Sequence, residues 1–349
     1  MDYSFLFFIS SGLFLGWSLG ANDAANIFGT AVGTKMVKFR TAAIIASVFV
    51  MLGAVYAGSG ASNTLGDLGS INAIAGAFMT ALAAAITVYW MVYSGLTVST
   101  TQAIVGAIVG WNLYSGTPTD ISTLSKIVST WVLCPALSGG FAIVIYFAVR
   151  WAIKHSRIHL VSLDFYTRVA LIVTGAFGAY ALGANNIANV MGAFVDANPF
   201  KDITVSKFTF TKTQVLFFMG SIAISVGIFT YSHKVMATIG KNIMSMSPQV
   251  AWIVVFSQSL VLFIFSSQSL QNFLLDMHLP PIPLVPVSSS QAVIGSVIGI
   301  GIAKGGHEIK WGTLGRIALG WVTTPLVACL ICFISLFFLE NVFHLTVYH

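Results

Sequence analysis

An all-α polytopic membrane protein is the fold this sequence predicts: two inverted-topology repeats of about five membrane segments each, with broken helices and two re-entrant hairpins. Three observations carry that expectation. The 349-residue chain is 57% hydrophobic and only 7% charged, with a mean hydropathy of +0.90, which excludes a soluble globular domain. A polar run, Gly20-Ala21-Asn22-Asp23-Ala24-Ala25-Asn26, returns as Gly183-Ala184-Asn185-Asn186-Ile187-Ala188-Asn189. The basic residues thread the two copies in opposite directions.

Apolar segments fall at approximately 4–34, 41–59, 71–93, 96–113, 122–150, 165–196, 214–232, 249–275, 282–303 and 316–340. All read as helical, because their polar positions are too sparse and irregular for the alternation of a transmembrane barrel. The first segment holds the polar run and a glycine-broken tail from Gly29 to Thr34. With Asp2 and no basic n-region before it, this segment reads as an uncleaved insertion signal. Lys35, Lys38 and Arg40 follow it, and Arg150, Lys154, Arg157 and Arg168 surround the mid-chain connection. Both clusters read as cytoplasmic, which puts the N-terminus outside. Lys234, Lys241, Lys304, Lys310 and Arg316 also fall inside, leaving Lys126, Lys201, Lys207 and Lys212 outside. The connections 94–99 and 276–288 carry no Lys or Arg. Segments 71–93 with 96–113, and 249–275 with 282–303, are therefore expected as re-entrant hairpins whose tips lie in protein.

The repeat extends beyond the polar run. The stretch from Thr97 to Gly106 (TVSTTQAIVG) is echoed from Pro286 to Gly295 (PVSSSQAVIG), and Lys126 to Pro135 (KIVSTWVLCP) from Arg316 to Pro325 (RIALGWVTTP). Ser47, Gly53 and Gly66 are matched by Ser221, Gly227 and Gly240. The expected division is 1–152 as the first repeat, 153–164 as a cytoplasmic linker and 165–349 as the second. The first repeat starts outside and ends inside, the second the reverse, so both termini lie outside. Inverted repeats with interrupted helices point to a secondary transporter whose site lies near the midplane.

The paired Gly-Ala-Asn motifs, the trailing Gly29-Thr30-Ala31-Val32-Gly33 and the duplicated Ser/Thr-rich Gln-Ala tips resemble the inorganic phosphate transporter (PiT) family over nearly the whole chain. The resemblance implies a phosphate symporter driven by a sodium or proton gradient; a sulfate-carrying branch is also known. It implies inorganic phosphate and a coupling cation as partners, no resident cofactor, and a prokaryotic plasma membrane as location. Two positions depart from the family pattern. Asn186 stands where an Asp is common, and Val50 where a Glu is frequent, so two equivalent acidic sites are not expected.

The residues support this reading on their own chemistry. Asp23 is the only acidic residue well inside the apolar segments, and placing Asp at a membrane-helix centre costs about 2.5–3.5 kcal/mol. A structural hydrogen bond to a neighbouring helix is the plain alternative to a functional carboxylate. Sodium requires several hard oxygen donors, for which Asp23, Asn26, Gln102, Asn186, Asn189 and Gln291 are the candidates, helped by carbonyls of an unwound helix. The anion requires donors, and no Lys or Arg lies deep in the bundle. Helix N-termini beginning at Ser99-Thr100-Thr101 and Ser288-Ser289-Ser290 would supply N–H groups, hydroxyls and the positive dipole end, with Asn22 and Asn185 beside them. Each such hydroxyl could instead bond back to its own helix.

Other signals favour structural roles. Gly16-Trp17-Ser18-Leu19-Gly20 matches GxSxG without the strand-turn-helix context of a nucleophile, so no enzyme is expected. Gly12, Gly16 and Gly20, Gly106 with Gly110, and Gly295 with Gly299 read as small-residue packing faces, which would also admit a homodimer. Cys134, Cys329 and Cys332 behave as small apolar residues. His155 and His159 fit a solvated connection. The net charge of +6 sits in loops, where it sets orientation in the lipid bilayer rather than binding nucleic acid. A passive anion channel is the rival from another class, disfavoured because the polar residues cluster in two short stretches instead of lining a helix.

Overall fold

A computed structural model describes residues 3–93, 98–156, 158–205, 208–233, 236, 246–306 and 309–349. Arg157, Lys207, Lys234, Lys241, Gly240 and the 94–97 part of the first hairpin connection lie outside the described residues. In chain order the helices are α1 (Tyr3–Gly33), α2 (Phe39–Ala57), α3 (Ser59–Leu68), α4 (Ile74–Tyr93), α5 (Thr100–Ser115), α6 (Ile121–His155), α7 (Leu160–Met191) and α8 (Lys212–Thr230). They continue with α9 (Pro248–Ile264), α10 (Gln268–Asp276), α11 (Ser289–Ala303) and α12 (Trp311–Asn341). A short antiparallel hairpin, β1 (Ile203–Val205) with β2 (Phe208–Phe210), precedes α8.

Seven of these helices are long and apolar enough to cross a membrane, and the bent pair α9–α10 makes up to eight. The protein is an integral membrane protein. Helices α5 and α11, of 16 and 15 residues, reach only about 24 Å and cannot span a 30 Å hydrocarbon core alone.

Packing follows the logic of lipid rather than water. On α2 the buried positions are small, Ala42, Ala43, Ala46, Ser47, Gly53 and Ala54 together with Val50, while Ile44, Val48, Leu52 and Tyr56 face outward. Lipid offers no reward for burying large side chains, so close backbone approach decides the interface. The contacts come in matched pairs. A Cβ on Gly20 would overlap the Ile224 carbonyl of α8, and one on Gly183 the Val50 carbonyl of α2. Gly53 abuts the Tyr180 carbonyl, and Gly227 that of Trp17. Gly106 and Gly110 seat against the carbonyls of Pro325 and Cys329, as Gly295 and Gly299 do against those of Pro135 and Gly139. Gly20, Gly106 with Gly110, and Gly295 with Gly299 belong to the small-residue faces expected from sequence, met here within one chain.

Three expectations are corrected. First, α1 runs unbroken through the polar run to Gly33, and α7 likewise to Met191; Gly29 and Gly33 interrupt nothing. Within lipid the backbone groups are best satisfied inside the helix, so neither motif frees carbonyls for an ion. Second, 249–275 is not one arm but two helices, α9 and α10, bent by 64° at a short break. Third, 282–288 is not helical, because Pro281, Pro283 and Pro286 remove donors and bias their predecessors away from helix. Helix α3, short and weakly apolar, and the β-hairpin were not expected as ordered elements.

Candidate functional site

The site is built where two helix starts meet the two polar runs. Ser99 caps α5 by accepting the Gln102 N–H (3.3 Å), and Ser288 caps α11 by accepting the Gln291 N–H (3.3 Å). Both starts fall where the Ser/Thr runs predict them. Capping satisfies one orphan donor per helix and leaves the N–H groups of Thr100, Thr101, Ser289 and Ser290 without intrahelical acceptors. The tips cross-link one another: Thr101 Oγ1 donates to the Val287 carbonyl (3.2 Å), and Ser290 Oγ donates to the Val98 carbonyl (3.2 Å).

Helix α1 flanks the junction on one side. Asn26 Nδ2 donates to Ser289 Oγ (3.1 Å) and Ser290 Oγ (3.3 Å). Asp23 is 3% exposed; its Oδ1 accepts from Asn22 Nδ2 at 2.9 Å, and its carboxylate lies beside the Ser289 and Thr100 hydroxyls. One acidic group thus lies beside both tips. Helix α7 flanks the other side, where Asn189 Nδ2 donates to Thr101 Oγ1 (2.9 Å) and Asn186 Oδ1 (3.1 Å).

All fourteen predicted residues are buried, but their surroundings differ. Asn185 engages the non-helical 285–287 segment with both polar atoms, donating to the Val285 carbonyl (3.1 Å) and accepting the Val287 N–H (2.7 Å). It holds the approach to the α11 tip. The Oε1 atoms of Gln102 and Gln291 and Oδ1 of Asn189 are buried acceptors with no hydrogen-bond donor among the described residues. Such oxygens are costly to bury unpaired, and they are the atom type a hard cation requires.

Two residues escaped the sequence reading. Gln258 on α9 is fully buried, donates through Nε2 to the Asn26 carbonyl, and leaves Oε1 unpaired like the other two glutamines. The signal was present as Ser257-Gln258-Ser259, a polar triplet in an apolar segment, but it has no echo in the first half. Thr64 was also missed; it ties α3 to the Leu284 carbonyl.

A polar cavity of about 520 Å³, lined by Asn63, Thr64, Asp67, Lys126, Gln271 and Val285 among others, ends on the segment that Asn185 holds. Among the weaker candidates, His159 accepts the Val161 N–H and the His155 ring bonds the Trp151 carbonyl. The Cys134 thiol donates to the Ser288 carbonyl (3.6 Å), and Cys332 lies 3.8 Å from Thr80 Oγ1.

The model of the phosphate transporter family (PHO4) matches residues 19–332 and 282–347. The Methanocaldococcus jannaschii protein named "Putative phosphate permease MJ0630" is 26% identical over 322 residues, covering 92% of this chain and 93% of that one. A Pyrococcus abyssi protein of the same designation, PYRAB14010, is 25% identical over 408 residues, covering 95% and 96%. The solved structure titled "The sodium-dependent phosphate transporter" superposes with a TM-score of 0.77 over 96% of this chain and 98% of its own, at 22% identity. That likeness shows a shared fold.

Proposed function

This chain belongs to the phosphate transporter family, and on that footing we propose that it imports inorganic phosphate by cation symport, with sodium as the coupling ion, through alternating access. The observation that carries the reading is the junction of the two tips: donors from two helix N-termini and buried acceptor oxygens unpaired among the described residues lie side by side, with Asp23 as the acidic group beside both tips. The anion sits on the N–H groups and hydroxyls of Thr100, Thr101, Ser289 and Ser290, the Ser99 and Ser288 caps setting their geometry and Asn22 orienting the carboxylate. The cation sits on Asp23 and the amide oxygens of Gln102, Gln291 and Asn189, with Asn26 holding the α11 tip, Asn186 holding Asn189 and Gln258 added to the set. Asn185 positions the 285–287 segment. The polar cavity beyond that segment is the proposed access path, and the two halves of the chain form the inverted repeats that rock about the junction.

Coupling follows from electrostatics. Neutral donors and helix dipoles alone neutralise a multiply charged anion poorly in a site of low dielectric, and Asp23 adds to the negative charge. A bound cation supplies the missing positive charge, so each ion completes the other's site. Phosphate is favoured over sulfate because it retains a proton to donate, and unpaired acceptors lie beside the tips. Uptake into liposomes with sodium and pH gradients imposed separately tests the reading. Accumulation driven by sodium, and suppressed by excess phosphate but not sulfate, is the expected result. Accumulation driven by the pH gradient alone would replace sodium with the proton, and flux that never exceeds equilibrium would favour a channel.

A further inference from the structure

The polar cavity taken above as the access path holds a charged residue that the junction does not use. Lys126 of α6 lines it with Asn63, Asp67, Gln271 and Val285, and its side chain is exposed. Neither acid nearby holds it. The Asp120 carboxylate accepts from Ser122 N–H and Thr123 Oγ1 and acts on Lys126 only through space. Asp67 and Lys126 share the cavity without an ion pair, the pair among the described residues being Arg168–Asp164. The needs of the fold do not account for the lysine either. As the sixth residue of α6 it lies toward the positive end of the helix dipole, which favours no cation. The orientation read from the basic residues puts it on the outer side, against the general bias. Yet a base recurs at the same register: Arg316 is the sixth residue of α12, although Ser125, Val128 and Ser129 have given way to Gly315, Ala318 and Leu319.

We propose that Lys126 receives inorganic phosphate from the outer solution and passes it toward the junction, so that it sets the apparent affinity of uptake; the inference rests on the substrate and access path proposed above. An ammonium on a flexible stem is a point charge that attracts a hydrated anion without enclosing it, which suits a site of passage. The route inward is short. The cavity wall includes Val285, Asn185 grips the chain at Val285 and Val287, and Ser288 caps the α11 tip. Asp67 on the same wall keeps the cavity close to neutral, so the charge that draws the anion does not bar the coupling cation.

Uptake by intact cells tests it, with phosphate varied outside. Lys126→Gln should raise the KM for phosphate about three- to fivefold, the worth of one solvated charge, with the maximal rate kept. Lys126→Arg should restore the wild-type KM, and added choline chloride should shrink the difference by screening. Lys201→Gln, which removes a charge that does not line the cavity, should leave KM as it is. With Lys126→Cys, external trimethylammonium-ethyl methanethiosulfonate should restore affinity, the sulfonate analogue should weaken it further, and external phosphate should slow both reactions. An unchanged KM in Lys126→Gln, a fall in maximal rate alone, an equal rise of KM in Lys201→Gln, or labelling that phosphate does not slow would each overturn the proposal. Wild-type cells that take up no phosphate would overturn the reading of the substrate on which it rests, which separates the two failures.

Discussion

At Asp23 the carboxylate accepts from Asn22 and lies beside hydroxyls of both helix tips, whereas the oxygen of the equivalent Asn186 accepts from Asn189, and its Nδ2 has no acceptor among the described residues. The two polar runs therefore offer the junction different chemistry: an anionic oxygen on one side and amide hydrogen on the other. Asp23→Asn keeps the size and one hydrogen-bonding oxygen but removes the charge. Sodium-driven phosphate uptake should fall about 10- to 100-fold, the worth of a charged hydrogen-bonding partner, while the purified protein elutes as the wild type does. Undiminished uptake would remove the carboxylate from coupling. Gln258→Leu should raise the sodium concentration for half-maximal uptake about fivefold, as expected for one neutral amide contact; an unchanged sodium dependence would make Gln258 purely structural. The difference in legibility between these two residues has a physical basis. Asp23 announces itself because a carboxylate in lipid is expensive and its run is duplicated. Gln258 has neither mark, and only its bond to the Asn26 carbonyl ties it to the site.

Helix starts and helix interfaces are the level at which the sequence speaks most clearly. A Ser or Thr run followed by Gln-Ala predicts a capped N-terminus, and Ser99 and Ser288 provide it. Replacing either by Ala should cost about 1 kcal/mol of stability and weaken phosphate binding, read by thermal unfolding and by uptake; loss of stability without any change in binding would detach the caps from the anion. A third cap lies outside the membrane. Asp120 accepts from Ser122 N–H and Thr123 Oγ1 at the start of α6, and these bonds hold its carboxyl below the ordinary value of 3.8. The cap is therefore complete above that value and is lost as pH falls through the lower folded one. Amide exchange at Ser122 should accelerate in acid below pH 3.8 beyond its intrinsic trend, and Asp120→Ala should show the faster exchange already at neutral pH. What the sequence hid at this scale was the interior of the second hairpin. Prolines 281, 283 and 286 forbid helix, but the apolar pattern runs through the break between α9 and α10, because Leu270, Phe273, Leu274 and Leu275 continue it past Ser266 and Ser267. Conversely, the glycines after Asn26 read as a break and are not one, since lipid holds a helix together where water would let it open.

The molecule as a whole is held by reciprocal contacts, each made once by residues of the first half and again by their equivalents in the second. Gly20 of α1 against α8 answers Gly183 of α7 against α2, and Pro135 behind Gly295 answers Pro325 behind Gly106. This explains why the KIVSTWVLCP echo is so well kept: its proline carbonyl is the floor on which the other half's tip helix rests. Gly106→Val and Gly295→Val should both prevent assembly, measured as loss of monodisperse protein after extraction; a folded protein in either case would break the correspondence between the halves. The central claim is that cation and phosphate complete one another's site at the junction of the tips. Calorimetric titration of phosphate into purified protein at a series of sodium concentrations, with choline keeping ionic strength constant, tests it most directly. Phosphate affinity that climbs with sodium in the wild type, and is weak and independent of sodium in Asp23→Asn, is the predicted result; phosphate binding equally tight with and without sodium in the wild type would contradict it.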